Sequence, residues 1–256
     1  MLFGIIGGTG FYRMEDETGG ERVTVNTTYG PVQVTRLRVG DVEVAFLARH
    51  GFDHSVPPHR VNYRANIAAL RELGVMNVLA SAAVGSMAEQ SPPGSLALLT
   101  QFLDFTRSRP ATFYDGEEGK AVHVDVTEPY CPHLRGELLA AATEVNERLH
   151  PEATYVCAEG PRFETPAEIR MFRQLGGDIV GMTNVPEVVL AREAGMCYAA
   201  VAIVTNWAAG VSKDPVRHEE VSSFMDEQTP RVRALFGHVI ANHTETECSC
   251  RIWAKS

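Results

Sequence analysis

The chain has 256 residues, of which 45% are hydrophobic, and a formal net charge of -9. A chain of this length can bury a full α/β core, and its acidic balance argues against a nucleic-acid-binding protein, which needs a basic surface. No apolar run reaches the roughly 18 residues of a membrane-spanning helix, and the N-terminus lacks the basic region of a signal peptide. We therefore predict a cytoplasmic protein without membrane contact, in which an anionic substrate would need donors placed close around it.

The order of apolar runs and turn residues predicts one α/β domain that spans residues 1–256, with no internal repeat or linker. Strands are predicted at residues 3–6, 21–27, 31–38, 42–48, 75–83, 96–105, 153–158, 178–182 and 198–204. Helices are predicted at residues 61–73, 134–149, 166–175, 186–194 and 218–242. The longest stretch without a regular pattern, residues 106–132, is a candidate for an active-site or subunit-contact loop.

The run at residues 198–204 is continuous, apolar and rich in small and β-branched residues, which predicts a strand covered on both faces. Thr205 and Asn206 follow it directly. Ligands of open α/β sheets bind beyond the carboxyl ends of the strands. Asn206, which can both donate and accept hydrogen bonds, is therefore placed where a substrate would lie. The alternative is that Asn206 only begins a turn.

Two other strand ends offer groups that suit phosphate. Residues 7–10 are predicted to form a glycine-rich turn whose backbone could bind an anion. The turn does not match a dinucleotide-binding fingerprint, because Arg13 occupies the position of the third glycine. Arg49 and His50 follow the predicted strand at residues 42–48, and a guanidinium offers two parallel donors to phosphate or carboxylate. A surface salt bridge is the alternative for this pair.

Two loops could contribute to the same site. Residues 82–85 are small, so their backbone N–H groups could approach an anion, although such stretches often serve only in packing. Residues 160–164 join a predicted strand to a helix. Phe163 could stack on a flat ring there, and Glu164 could accept a hydrogen bond from a ring N–H. The alternative for Glu164 is that it caps the helix, whose dipole favours an acidic residue in the first turn.

Five cysteines in a chain of this length do not indicate a secreted disulfide framework. Three of them lie in or beside apolar segments and are expected to be packed thiols: Cys131, Cys157 and Cys197. Cys248 and Cys250 could form a disulfide or a redox pair, or be inert residues of an exposed tail. A zinc site would need two more ligands, and His238 and His243 do not give a standard zinc spacing, so no metal site is predicted.

Six segments, in order and at suitable spacings, resemble the trimeric purine nucleoside phosphorylase and methylthioadenosine phosphorylase family. They are residues 6–10, 47–51, 61–66, 82–86, 159–163 and 181–187. The resemblance implies a nucleoside phosphorylase fold, with a twisted mixed β-sheet flanked by helices, and a homotrimer or hexamer. It also implies that the substrates are a purine nucleoside and inorganic phosphate, with no metal or organic cofactor.

The resemblance also implies a role for individual residues. Phosphate contacts are implied for Thr9, Arg49, His50, the backbone of Ala83, and Thr183. Ribose contacts are implied for Met182 and His218, and for His123, which would reach the ribose 5′ end in a neighbouring subunit. Phe163 would pack on the purine. Ala82 departs from the family, which usually has a hydroxyl or amide there, so one contact near the phosphate is missing or replaced.

The base-binding positions indicate a branch of the family. Where the methylthioadenosine enzymes have two Asp residues and a Ser, this chain has Asn206, Ala208 and Glu164. Asn with Glu is the pattern of the 6-oxopurine phosphorylases, since an amide can donate to O6 and a carboxylate can accept from N1–H of hypoxanthine or guanine. His218 stands where enzymes of 5′-hydroxyl nucleosides have His and thio-specific members have a small apolar residue. A solvent-exposed helix start is its alternative.

The implied reaction is the reversible phosphorolysis of inosine and guanosine to free base and ribose 1-phosphate. Asn206 would be catalytic, since it would stabilise the negative charge that gathers on the departing purine. The nearest alternative is the same reaction on 5′-methylthioinosine or 5′-methylthioadenosine. A hydrolytic nucleosidase would not need the phosphate donors. The failed fingerprint disfavours a dinucleotide-dependent reductase, and the full set of phosphate donors disfavours a non-enzymatic nucleoside-binding module.

Overall fold

The computed structural model of the protein describes residues 2–8, 19–116, 119, 121–213, 216 and 218–255. Within these residues nine strands form one sheet: β1 Leu2–Gly7, β2 Glu21–Thr27, β3 Gly30–Val39, β4 Val42–Ala48, β5 Asn77–Ser86, β6 Leu96–Phe105, β7 Leu149–Ala158, β8 Ile179–Gly181 and β9 Cys197–Trp207. The α-helices of the described residues are α1 Tyr63–Glu72, α2 Pro132–Glu144, α3 Pro166–Gln174, α4 Asn184–Glu193 and α5 His218–Asn242. In the same part of the chain two short segments are 3₁₀-helical: Pro58–Arg60 and Ser249–Lys255.

The sheet is mixed, and five of its strands close into a ring. β4, β1, β5 and β9 run parallel to one another, whereas β2 and β3 extend the β4 side by antiparallel pairing. On the other side β5, β8, β7, β6 and β9 pair in sequence, and β9 pairs again with β5. The predicted mixed sheet flanked by helices is confirmed, while the ring is a feature that the sequence pattern does not predict.

The central strand β9 is covered on both faces, as its composition predicts. Alternate side chains along a strand point to opposite faces of the sheet, and here each set is buried in a different core cluster. One cluster contains Tyr198, Ala200, Ala202 and Val204, and the other contains Cys197, Ala199, Val201 and Ile203. The strand therefore forms part of two hydrophobic cores at once.

Helices supply the other half of each core. Ile67 and Leu70 of α1 pack with Val188 of α4 on one face of the sheet. On the opposite face, buried residues of α2 and α5 pack together: Leu134, Leu138, Val232, Leu235 and Phe236. The amphipathic spacing of the predicted helices thus matches a three-layer arrangement. Within the described part of the chain, no helix combines the length and the apolar character needed to cross a membrane.

The predicted helix at residues 134–149 is wrong at its C-terminal end. α2 ends at Glu144, Asn146 adopts a left-handed φ of 53°, and Leu149 already begins β7, opposite Leu96 of β6. Asn tolerates the left-handed conformation at a helix end better than most residues do. The apolar residue Leu149 prolongs the helical spacing in the sequence, although it belongs to the strand.

The irregular stretch at residues 106–132 is held to the core by buried polar side chains. Glu193 of α4 accepts hydrogen bonds from the Thr112 hydroxyl and from the backbone N–H of Phe113, both at 2.7 Å. Arg109 is 8% exposed and lies among backbone carbonyl groups. The stretch is therefore a fixed part of the molecule at these points.

Candidate active site

A single cavity of about 360 Å³ brings together most of the residues expected to act. The expected residues that line it are Arg49, His50, Ala83, Phe163, Glu164, Met182, Thr183 and Asn206. Its volume falls in the range of about 300–1,000 Å³ that is usual for small-molecule sites. The sequence-based grouping of these residues into one site therefore agrees with the fold.

The cavity lies where β5 changes neighbours. β1 pairs with β5 only as far as Ala80, and β8 joins that edge of β5 only at Gly85. Between them the carbonyl of Ser81 accepts a hydrogen bond from a side chain, that of Arg49. Since alternate residues of a strand direct their backbone groups to the same edge, the N–H of Ala83 faces the same space. Ligands of α/β sheets bind at such switch points.

The cavity has two ends, which we name after the strands that lead into them. The β4 end contains Arg49 and His50, which directly follow β4. The β9 end contains Asn206 together with Phe163 and Glu164. β1 and β5 lie between β4 and β9, so three strand spacings, or about 14 Å, separate the two strands.

The guanidinium of Arg49 is buried at the β4 end and paired with Glu187. Its Nε and Nη2 donate to the two carboxylate oxygens of Glu187 at 2.7 Å, and Nη1 donates to the carbonyl of Ser81 at 2.8 Å. Burial alone would lower the pKa of Arg49, but the Glu187 carboxylate outweighs it and raises that pKa. Arg49 is 2% exposed and Glu187 0%, so the pair is not a surface salt bridge. A guanidinium has five N–H groups, which leaves one on each Nη for a ligand.

A chain of buried hydrogen bonds continues behind Glu187. The Tyr198 hydroxyl donates to Glu187 at 2.7 Å, the Asn184 amide donates to Tyr198 at 3.1 Å, and the Tyr130 hydroxyl donates to Asn184 at 2.6 Å. All four side chains are buried. A satisfied network in a low-dielectric interior holds its members in one arrangement. The direction of the Arg49 guanidinium is therefore fixed from within the core.

His50 is oriented by the loop that follows β4. Its Nδ1 lies 2.8 Å from the carbonyl oxygen of Val56, and the N–H of Val56 donates back to the carbonyl of His50 at 3.0 Å. Because a carbonyl only accepts, Nδ1 is the nitrogen that carries the hydrogen in this contact. The same loop lines the cavity with His54, Ser55, Val56, Pro57 and Pro58.

The segment after β8 reaches the cavity through Met182 and Thr183. Thr183 is buried, and its N–H donates to the hydroxyl of Tyr155 at 3.0 Å. Gly160 has a left-handed φ of 67°, and a Cβ there would lie 2.6 Å from the sulfur of Met182. Glycine at position 160 therefore allows the methionine thioether to pack directly under the loop that leads to Phe163.

The β9 end is more open than the β4 end. Phe163 is 38% exposed, and Glu164 is half-buried. Removal from water raises the pKa of the Glu164 carboxyl above its usual value. The Asn206 Oδ1 accepts from the Thr205 hydroxyl at 2.8 Å, and its Nδ2 donates to the carbonyl of Trp207 at 2.8 Å. One amide N–H and one oxygen lone pair of Asn206 remain to meet a ligand.

Arg109 connects the two segments that enter the cavity from the side. Its Nη1 donates to the carbonyl of Val185 at 2.8 Å, and its Nη2 donates to the carbonyl of Glu159 at 2.7 Å. The first carbonyl follows Thr183 and the second precedes the loop of Phe163. Arg109 therefore fixes the two segments relative to each other. The sequence does not reveal this role, because Arg109 lies in the irregular stretch.

The structure does not bring every expected residue to the cavity. Thr9 lies outside the described residues, and the side chain of His218, at the first position of α5, is likewise not described. His123 is exposed and does not line the cavity of its own chain, so its contact with a neighbouring subunit stays a prediction. Ala82 is 2% exposed and packs into the core.

Glu187 is the main residue of the site that sequence reasoning missed. It is 138 positions away from Arg49 in the chain, and no local pattern connects the two. One signal was available, since Glu187 lies in an otherwise apolar stretch of α4 and an acidic residue is almost never buried without a partner. That signal identifies a buried acid but not the residue with which it pairs.

Comparison with known proteins identifies the family of this chain. Residues 2–241 match the sequence profile of the phosphorylase superfamily, and the chain belongs to this family. A Pyrococcus furiosus protein named "6-oxopurine nucleoside phosphorylase" is 53% identical over 253 residues, covering 96% of this chain and 95% of that protein. A Methanopyrus kandleri protein named "Probable S-methyl-5'-thioinosine phosphorylase" is 52% identical over 238 residues, covering 93% and 91%.

The fold is also found among solved structures. Methylthioadenosine phosphorylase from Schistosoma mansoni, in complex with adenine, superposes with a TM-score of 0.89 at 35% sequence identity. The match covers 94% of this chain and 91% of the other. The predicted nucleoside phosphorylase fold is therefore confirmed.

Proposed function

We propose that this protein catalyses the phosphorolysis of 6-oxopurine nucleosides, such as inosine and guanosine, to free base and ribose 1-phosphate. The observation that carries the proposal is the presence of Asn206 and Glu164 at one end of a cavity whose other end holds Arg49 and His50. The β9 end suits a purine with O6 and N1–H, and the β4 end suits an anion. The name of the Pyrococcus furiosus relative supports the same activity.

The reaction exchanges one bond at C1′ of the ribose for another. A phosphate oxygen forms a bond to C1′ while the bond from C1′ to purine N9 breaks, and its electron pair leaves with the purine. The ribose passes through an oxocarbenium-like state, and negative charge develops on the base. Asn206 stabilises this charge at N7 and O6 with a fixed dipole. The proton of the hydrogen phosphate ends on the purine, so atoms and charge balance.

Phosphate binding at the β4 end depends on directed donors. Glu187 balances the charge of Arg49, so net positive charge contributes less there than the geometry of the N–H groups does. The donors are the remaining Nη N–H groups of Arg49, the backbone N–H of Ala83, and the imidazole of His50. Thr9 and Thr183 complete the proposed phosphate site. Inorganic phosphate is the co-substrate, and these groups supply the binding without a metal or organic cofactor.

The second candidate function is the same reaction on S-methyl-5′-thioinosine. Its base is also a 6-oxopurine, so the β9 end suits it equally, and the Methanopyrus kandleri relative bears that name. The two nucleosides differ only at the ribose 5′ position. We propose that Met182 contacts the ribose, and that His218 and His123 approach the 5′ position, where a histidine hydrogen-bonds a hydroxyl better than a thioether.

A substrate panel tests the proposal. Inosine, guanosine, S-methyl-5′-thioinosine, adenosine and S-methyl-5′-thioadenosine are assayed with and without phosphate. We expect turnover only with phosphate, and far higher kcat/KM for the three 6-oxopurine nucleosides than for the two adenine nucleosides. Turnover that does not depend on phosphate would indicate a hydrolytic nucleosidase. A preference for adenosine would contradict the assignment of Asn206 and Glu164.

We further propose a homotrimer or hexamer in which His123 enters the cavity of the neighbouring subunit. His123 is exposed in the single chain and lies in the stretch at residues 106–132. Light scattering gives the mass, and mixing two inactive variants, His123→Ala and Asn206→Ala, tests the shared site. Mixed assemblies would contain some sites with both native side chains and regain activity, whereas a fully active monomer would contradict the proposal.

A further inference from the structure

We propose that Cys131, Cys197, Cys248 and Cys250 form a tetrahedral thiolate site for a divalent metal ion of the zinc type. The site is separate from the cavity. Cys197 begins β9 and Asn206 lies near its other end, so at about 3.3 Å per residue the two are roughly 30 Å apart. The site would therefore act on stability and not on the chemistry proposed above.

The spacing of the sulfur atoms fits four ligands of one ion. All four sulfurs lie within 4.8 Å of one another, and those of Cys131 and Cys248 are 3.6 Å apart. Four sulfurs at about 2.3 Å from a central zinc ion would be separated by about 3.8 Å. A disulfide needs about 2.05 Å, and all five cysteines of the chain are free.

A buried cation lies next to one of the four sulfurs. Arg192 is 5% exposed, and its Nη1 donates to the sulfur of Cys250 at 2.8 Å, while its Nε donates to the carbonyl of Asp125. A buried guanidinium keeps its charge and would stabilise a thiolate beside it. A zinc ion with four thiolates has a net charge of about −2, which Arg192 and the nearby Arg251 would offset.

The four ligands come from separate parts of the fold. Cys131 is the N-cap of α2, Cys197 begins β9, and Cys248 and Cys250 belong to the segment that follows α5. Three of these side chains are buried and that of Cys248 is partly exposed, which gives an ion a path of entry. Binding of the metal ion would displace the thiol protons and would hold the C-terminal segment against the core. The two ligands that a zinc site lacks in the sequence near residue 248 are thus supplied by distant residues.

Metal content and cobalt spectroscopy test this proposal on the full chain. The protein is purified without chelator, and the number of zinc ions per chain is measured by inductively coupled plasma mass spectrometry. After reduction and removal of metal, Co²⁺ is added and the visible absorption is recorded. We expect one zinc per chain and the thiolate charge-transfer and tetrahedral d–d bands of cobalt. A Cys248→Ser variant should lose most of the metal and melt at a lower temperature.

Two matched variants locate the ion. Cys157→Ser changes a buried cysteine outside the cluster, where the thiol donates to the carbonyl of Val185, and it should keep the full metal content. His133→Asn disrupts the neighbouring group of His133, Glu137 and His243 and should also keep it. Loss of metal in the His133 variant alone would overturn the assignment to the cysteines.

Two results on the native protein would overturn the proposal even if Cys248→Ser fails to fold. The first is that the reduced protein fails to bind one zinc or cobalt ion per chain. The second is that peptide mass spectrometry finds these cysteines joined as disulfides in freshly purified protein. The second result would instead support the redox role that the spacing of Cys248 and Cys250 allows.

Discussion

The two ends of the cavity differ in how their side chains are held. At the β4 end, Arg49 is locked by two hydrogen bonds to Glu187, and Tyr198 holds Glu187 in turn. At the β9 end, Phe163 and Glu164 are partly exposed and have space in front of them. The first end is fixed before any ligand arrives, while the polar groups of the second end are open to a ligand.

This difference fits the roles proposed for the two ends. In the proposed reaction phosphate is the same in every turnover, so a fixed set of donors suits it, and preorganised donors cost no reorganisation during the reaction. The base varies among nucleosides, and discrimination comes from polar groups that stay unpaired when the wrong base is bound. We therefore expect substitutions at the β9 end to change specificity and substitutions at the β4 end to change phosphate affinity and stability.

The largest effect is expected from exchanging the polar groups of the β9 end. A site built to hydrogen-bond a substrate group can reject an analogue that lacks it by roughly 10⁴–10⁵-fold, so the native protein should strongly prefer inosine to adenosine. Asn206→Asp places an acceptor where the amide would donate to O6 of the base, and this change should sharply reduce kcat/KM for inosine. Adding Glu164→Ser removes the clash with N1 of adenine and should raise the adenosine-to-inosine ratio.

Glu168→Gln is the matched control for this exchange. Glu168 lies four residues further along the chain and pairs with Arg162 on the surface, outside the cavity lining. The ratio of kcat/KM values should not change in this variant. A ratio that stays constant in the Asn206 and Glu164 double variant would show that these residues do not read the base.

Removing Arg49 should weaken phosphate far more than nucleoside. Hydrogen bonds to charged groups contribute about 1.5–3 kcal/mol each, so Arg49→Ala should raise the KM for phosphate roughly 10- to 100-fold for each bond lost. The change also leaves the Glu187 carboxylate buried without its cation, which costs about 3–5 kcal/mol of unfolding free energy. Steady-state kinetics at varied phosphate, with a denaturant titration, measures both.

A second substitution separates the two consequences. The double variant Arg49→Ala with Glu187→Gln has no buried lone charge, so it should recover part of the stability while phosphate binding stays weak. A phosphate KM equal to that of the native protein in either variant would remove Arg49 from the site.

The pH dependence of the reaction tests the state of Glu164. The carboxylate must be ionised to accept N1–H, and desolvation raises its pKa, so kcat/KM for inosine should fall with acid at a pH above the usual glutamate value of about 4.3. This raised pKa also means that the folded protein binds the proton more tightly than the unfolded chain does. Glu164 therefore lowers stability as pH rises through its folded pKa.

The Glu164→Gln variant shows whether the fall of kcat/KM in acid is caused by the ionisation of Glu164. In this variant kcat/KM should no longer fall in acid. The variant should also be more stable than the native protein near pH 7, and this difference in unfolding free energy should vanish below the pKa of glutamate in the unfolded chain. If kcat/KM of the variant still falls in acid as it does in the native protein, the ionisation belongs to another group.

The smallest effect is expected from the surface ion pair of Arg162 and Glu168. Arg162 donates to both carboxylate oxygens of Glu168, which resembles the pairing at the β4 end, but the Arg162 side chain is 65% exposed. Surface pairs contribute about 0–1 kcal/mol. Arg162→Ala should therefore lower the unfolding free energy by at most about 1 kcal/mol, and a larger loss in a denaturant titration would contradict the contrast between the two pairs.

Much of the fold follows from local patterns, and the missing parts depend on distant contacts. The composition of residues 198–204 correctly predicts a strand buried on both faces. The closure of the ring requires Leu96 of β6 to pair antiparallel with Ile203 of β9, and no local signal specifies that pairing. The position of Asn206 at a strand end could be predicted, whereas the partner of Arg49 and the meeting of Cys131 with Cys248 could not.

The closed ring has a consequence for how the protein associates with other chains. A free strand edge offers unpaired N–H and C=O groups on which strands of other molecules can add. On the ring side no terminal strand remains, so among the described strands the open edge is that of β2. Every residue of β2 is at least partly exposed, and Glu21 and Arg22 place charges at its start, where charge discourages such addition. Aggregation by strand addition is therefore expected to begin at β2 and not at the strands around the cavity.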